Sequence, residues 1–155
     1  MNIQIKQESP IPLAMIRHTG PYDQLAPKFE QLYEWVEAQS VPAQRCIGIY
    51  WDNPEHVPAH QLRSAACVEL PMYFVPTGIM GTSIELSTLA GGEYAVIRFI
   101  GPYDQLGRVW ADFIRHIEQR LKRTISENPA FEVYVNDAST TPPDQLITDL
   151  YMPLA

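Results

Sequence analysis

Several things are scarce in this sequence, and each shortage closes off a class of protein. Cys46 and Cys67 are the only cysteines in 155 residues. Two thiols make at most one bridge and both lie in apolar runs, so a disulfide scaffold is excluded and a reduced, cytoplasmic protein is expected. No stretch approaches the ~18 consecutive apolar residues of a membrane span. The opening Met1-Asn2-Ile3-Gln4-Ile5-Lys6 has neither the basic nor the apolar region of a signal peptide. Neither membrane insertion nor secretion is expected.

Cations are also few: 11 Lys+Arg against 18 Asp+Glu give a net charge of −7. Affinity for a phosphate backbone comes from cations that displace counterions, so no direct contact with nucleic acid is expected. There is no phosphate-binding glycine loop, no Gly-x-Ser-x-Gly and no nucleophile–base pair of familiar spacing. His56 and His60 are four apart beside Glu55, but Pro58 lies between them and no further ligands complete a set. Neither a metal nor a cofactor is expected.

What the chain does have is a copy of itself. Gly-Pro-Tyr-Asp-Gln-Leu occurs at 20–25 and again at 101–106, an offset of 81. In that frame residues 3–37 match 84–118 at eleven of 35 positions without a gap. Phe29 against Trp110, Leu32 against Phe113 and Val36 against Ile117 keep apolar character where identity fails. At an offset of 84, Ile47-Gly48-Ile49-Tyr50 falls on Phe131-Glu132-Val133-Tyr134, and Leu62 on Leu146. An 81-residue unit is too long for a solenoid repeat, so it reads as a duplicated half-domain.

Each half has the same predicted layout. A short strand (3–7, 83–87) and a second strand (13–19, 94–100) lead to the Gly-Pro-Tyr-Asp turn. Asp23 or Asp104 is the expected helix N-cap. Leu25, Phe29, Leu32 and Val36, and Leu106, Trp110, Phe113 and Ile117, form one stripe of a 3.6-residue period. Two strands close each half, 45–51 with 63–70 and 131–136 with 147–152. Gly91-Gly92 reads as a hairpin turn. The expected fold is α+β: a tandem duplication of a strand-helix-strand-strand unit, with antiparallel sheets and one helix per half about a pseudo-twofold axis. One domain over 1–155 then consists of two repeats, about 1–72 and 82–155, joined by the connection 73–81. The stretch from Pro71 to Gly81 has no charged residue. It is expected to pack against the sheet or a cleft.

Positions that differ between the copies are where one copy can acquire a role. The sharpest is Glu132 against Gly48. Period two puts Glu132 and Tyr134 on one strand face, as it does Gly48 and Tyr50. If those faces meet, a carboxylate lies between tyrosines, a setting for a cation with an aromatic body. The helices differ as well. Residues 23–39 carry four acids and one lysine (−3), whereas 104–123 carry five cations and three acids (+2). The basic end reads as a solvated face suited to a helix C-terminus.

Met1–Glu8, Gly20-Pro21-Tyr22, Phe29-Glu30-Gln31-Leu32, Tyr50-Trp51-Asp52-Asn53-Pro54, Leu62-Arg63, Gly91–Val96 and Phe131-Glu132-Val133-Tyr134 resemble, in order, the DNA gyrase inhibitor proteins. These belong to the GyrI-like small-molecule-binding superfamily, which shares its duplicated fold with effector-binding domains of multidrug-responsive transcription activators. The resemblance implies a glutamate in an aromatic pocket that meets cationic drugs, which carries onto Glu132. Tyr134, Tyr50, Gly48, Tyr103 and Trp110 are the further ligand-binding candidates. It implies DNA gyrase and a small cationic or aromatic molecule as partners. The alternative it implies is a hydrolase of cyclopropane-bearing toxins that uses Glu132. One departure is Ala65, where those inhibitors tend to carry an acid.

Overall fold

The structure is a computed structural model that describes residues 1–155. Eight antiparallel strands and two helices make an α+β fold: β1 (Gln4–Glu8), β2 (Ile11–Thr19), α1 (Ala26–Ala38), β3 (Cys46–Tyr50), β4 (Arg63–Glu69), β5 (Glu85–Leu89), β6 (Gly92–Ile100), α2 (Leu106–His116), β7 (Ala130–Tyr134) and β8 (Ile147–Pro153). A π-helical turn, Ile117–Leu121, extends α2. No helix is long and apolar enough to cross a membrane.

The chain forms two compact units: a continuous one, Pro10–Ala90, and a split one, Met1–Ser9 with Gly91–Ala155. In the continuous unit the strand order is β3-β4-β2-β5; in the split unit it is β1-β6-β8-β7. Each repeat's first strand therefore pairs with the second strand of the other repeat. Gln4 faces Val96 across β1 and β6, and Ile11 faces Leu89 across β2 and β5. This corrects the expected hairpin at Gly91-Gly92. β5 does not turn back onto β6, and the two glycines carry the chain from one unit into the other.

The predicted caps are corrected too. Pro21 and Pro102 are extended, and Tyr22–Gln24 and Tyr103–Gln105 form short 3₁₀ turns. The helices start after them, with Leu25 and Gln105 at the cap positions and no side-chain cap bond. Pro27 lies in the first turn of α1, where a missing N–H is harmless.

Both helices lie on their own unit's sheet by the periodicity seen in the sequence. Leu32 and Trp35 of α1 pack on Ala14, Ile16, Ala66 and Val68, with Phe29 and Val36 at the margin. Phe113 and Ile117 pack on Ala95, Ile97, Leu150 and Met152. Each large apolar side chain buried this way contributes roughly 1.5–3 kcal/mol. The opposite face of the split unit's sheet is buried as well, with Tyr94, Phe131 and Tyr151 in mutual ring contact.

The uncharged 71–81 segment packs only in part. Phe74 and Ile79 join the continuous unit's core. Met72, Tyr73, Val75 and Met80 are exposed.

Candidate functional site

Glu132 lies near the middle of β7, with Leu150 of β8 directly opposite. Opposed residues share a sheet face, and Leu150 belongs to the core beneath α2, so Glu132 points to the helix side. It is 3% exposed, and the buried polar or charged side chains are Ser64, Glu132 and Thr148. Trp110, one turn into α2, donates its indole Nε1–H to Glu132 Oε2 at 2.6 Å. The Tyr134 hydroxyl, two residues along β7, donates to Oε1 at 2.7 Å. Tyr103 stands edge-on to Tyr134, with ring centroids 5.6 Å apart. Four of the six residues singled out in the sequence thus meet in the split unit.

The other two, Gly48 and Tyr50, lie at the equivalent place in the continuous unit. Gly48 faces Ala66 and Tyr50 faces Ser64 across β3 and β4. Tyr22, the copy of Tyr103, packs edge-on to Tyr50 at 4.8 Å. Its hydroxyl donates to the Asp52 carbonyl at 2.6 Å. Burial, with the Asp52 charge nearby, pushes the Tyr22 phenol up to about 12. The Arg63 guanidinium donates to both Asp52 carboxylate oxygens, at 2.8 and 3.0 Å, and holds that carboxyl below its ordinary range. The aromatic pair is therefore kept in both copies, whereas the carboxylate exists in one.

Sequence reasoning missed two residues. Thr148 Oγ1 and Ser64 Oγ are buried without a hydrogen-bond partner. They face Tyr134 and Tyr50 respectively. The offset of 84 aligns them, which was the available signal. Elsewhere in the split unit a cavity of about 620 Å³ opens beside α2, with Ile97, Phe99, Arg108 and Val109 in its lining. Glu132, Trp110 and Tyr134 do not line it.

Comparison with known proteins agrees with this architecture. The chain matches the GyrI-like small molecule binding domain over residues 1–155. It is 34% identical over 143 residues to the DNA gyrase inhibitor of Escherichia coli K12, covering 90% of this chain and 88% of that one. The chain belongs to the GyrI-like small-molecule-binding family, with DNA gyrase inhibitors among its curated relatives. Solved structures share the fold at low identity. The C-terminal domain of EcmrR has a TM-score of 0.78 at 16% identity, covering 99% of this chain and 97% of that one. SAV2435 bound to tetraphenylphosphonium has 0.70 at 18%, covering 100% and 94%. A hydrolase from Listeria innocua has 0.73 at 11%, covering 99% and 91%.

Proposed function

We propose that this protein binds a small aromatic cation at Glu132, with Trp110, Tyr134 and Tyr103 as the walls, and acts as a gyrase modulator that also sequesters its ligand. The observation that carries this reading is a carboxylate 3% exposed whose two oxygens rest on an indole and a phenol. Both of these donors are uncharged groups. An entering cation gains Coulomb attraction in a poorly solvated place. Each aromatic face adds about 0.5–2 kcal/mol of cation–π attraction. Tetraphenylphosphonium, the ligand named for SAV2435, is a cation of this kind. The gyrase part rests on the relatives named DNA gyrase inhibitor.

Two measurements test the two parts separately. Tetraphenylphosphonium should raise the melting temperature of the wild-type protein but not of Glu132→Gln; no shift in the wild type sinks the pocket. Titration into a gyrase supercoiling assay should inhibit the enzyme. Absence of inhibition at stoichiometric excess sinks the gyrase role.

A second reading is favoured by one distance. The Tyr134 hydroxyl, 2.7 Å from Glu132, pairs a proton donor with a proton acceptor within general acid–base reach. With a cyclopropane fused to a conjugated carbonyl, Glu132 would take a proton from water as its oxygen bonds to a ring carbon. The ring C–C bond breaks, and its electron pair passes into the carbonyl system, which gains a proton. Turnover of such an electrophile, lost in Glu132→Gln, would establish the hydrolase in place of the binder.

A further inference from the structure

Two polar side chains are buried in the split unit, Glu132 and Thr148, and Thr148 is the one without a partner. It is 0% exposed, and its hydroxyl makes no hydrogen bond. Natural cores seldom leave a hydroxyl in that condition, because burial strips its water and returns nothing. The strand register shows why no neighbour helps. Thr148 of β8 lies directly between Phe99 of β6 and Tyr134 of β7. Phe99 has no polar side-chain atom, and the Tyr134 hydroxyl donates to Glu132. The other copy differs on this point. Ser64, the counterpart of Thr148, lies between His18 and Tyr50. His18 bonds to the Pro21 carbonyl through Nε2. A carbonyl only accepts, so in the neutral ring Nδ1 is left as an acceptor on the strand beside Ser64. At the offset of 81 that imidazole is replaced by Phe99.

Glu132 and Thr148 are diagonal neighbours on one face of the sheet. Glu132 faces Leu150 and Thr148 faces Tyr134 across the same two strands, and alternation puts 148 and 150 on one side. Diagonal residues of this kind are about 7–8 Å apart at the backbone. A nitrogen with two hydrogen bonds of about 2.9 Å bridges acceptors roughly 5 Å apart, within reach of side chains that lean together. The Glu132 oxygens receive the Trp110 and Tyr134 donors, but a carboxylate has about four acceptor positions and those two bonds do not fill them. A hydroxyl oxygen accepts as well, and a charged N–H is the donor that gains most from it. We propose that Thr148 selects among cations at Glu132: one N–H of the ligand goes to the carboxylate and a second to Thr148 Oγ1. The preferred ligand is then an aromatic primary or secondary ammonium rather than an onium ion without N–H. The proposal rests on the reading of Glu132 as the cation site, and adds to it a residue that sets the ligand's class.

Naphthylmethylammonium ions that differ only in N-methylation are the probes: N-methyl with two N–H, N,N-dimethyl with one and N,N,N-trimethyl with none. Their affinities for the full chain are measured by titration calorimetry in the wild type, Thr148→Val and Thr148→Ser. Thr148→Val should weaken the N-methyl ion about tenfold and the other two by less than about twofold. Thr148→Ser keeps the hydroxyl and should restore most of the N-methyl affinity. Losing a buried hydroxyl without a partner should not unfold the protein, and a melting curve separates lost binding from lost fold. An equal effect on all three ions would assign Thr148 a packing role or a bound water, and would overturn the proposal. So would a loss for the N-methyl ion that serine does not rescue. Tetraphenylphosphonium locates any wider failure. If it stabilises the wild type while none of the three ions binds, or while Thr148→Val leaves all three unaffected, the hydroxyl is not a ligand contact and the cation site stands. If neither it nor any of the three binds, both fall.

Discussion

Trp110 on α2 and Glu132 on β7 are joined by a 2.6 Å hydrogen bond between helix and sheet. Trp110→Phe keeps an aromatic ring and removes the donor, leaving one oxygen of a buried carboxylate short of its partner. Stability should fall by about 1–3 kcal/mol, read from urea unfolding. Glu132→Gln should couple to it, so that the double variant departs from additivity by more than about 0.5 kcal/mol. Additive effects would show that the indole contributes through packing alone.

Thr148 gives a prediction of the opposite sign. Its hydroxyl is fully buried and has no partner, and the same holds for Ser64. Valine has threonine's shape without the hydroxyl. Thr148→Val should therefore raise stability by about 1 kcal/mol, because an unsatisfied buried hydroxyl carries a desolvation penalty of roughly that size or more. Ser64→Ala should shift the melting temperature in the same direction. A fall in either variant would mean that the hydroxyl has a partner in solution, with an ordered water the first candidate.

The element types were legible because period and repeat agreed. Leu32 and Phe113, matched at the offset of 81, are both fully buried under their sheets. The exchange of first strands was not legible. β1 and β5 are copies of one segment with similar alternation, so local pattern fits either partner, and only the three-dimensional path of the chain decides. The caps failed for a related reason. Asp23 and Asp104 are good N-cap residues, but the preceding prolines are extended and the turn that follows closes as 3₁₀, displacing the helix start. At the site, comparing the copies singled out Glu132, because a carboxylate opposite a glycine is a large difference. The Trp110 contact spans 22 residues and two elements, and no spacing rule reaches that far.

The copies also handle one charge differently. Arg98 faces Asp149 across β6 and β8 and bonds to it at 2.8 Å, whereas Arg17 faces Ala65 and turns to Glu85 at 3.1 Å. Asp149 is largely covered, while Glu85 is about half exposed. Exposed pairs contribute between about 0 and 1 kcal/mol and are weakened by salt. Asp149→Ala should therefore destabilise more than Glu85→Ala, and less of its effect should vanish in high salt. Equal losses in thermal unfolding would show that coverage of the acid does not matter here.

Asp52 supplies a pH dependence. Its carboxyl is held low, first by the Arg63 side-chain bond. A group whose folded pKa lies below its unfolded value, about 3.9 for Asp, stabilises fully above that value. The contribution is lost as pH falls through the folded pKa. Asp52→Asn should melt below the wild type at pH 7, and the gap should close as the pH drops below about 4. Tyr22 is a useful control, because it bonds to the Asp52 backbone carbonyl, which the variant retains. A gap independent of pH would assign the loss to packing.

Gly78 joins the exposed apolar segment to α1 and permits a last test of how that segment is held. Its φ is +71°, where a Cβ is strained, and an added Cβ would meet the Gln39 side-chain amide. That amide can swing away, but doing so breaks its bond with Thr77. Gly78→Ala should therefore lose about 1–2 kcal/mol from the left-handed backbone. The segment should also loosen relative to the core. Amide exchange at 72–80 would then rise by more than in β2 or β4. A variant that lost stability uniformly, with no local rise at 72–80, would show that the segment is not held by its anchors at Thr77 and Gln39.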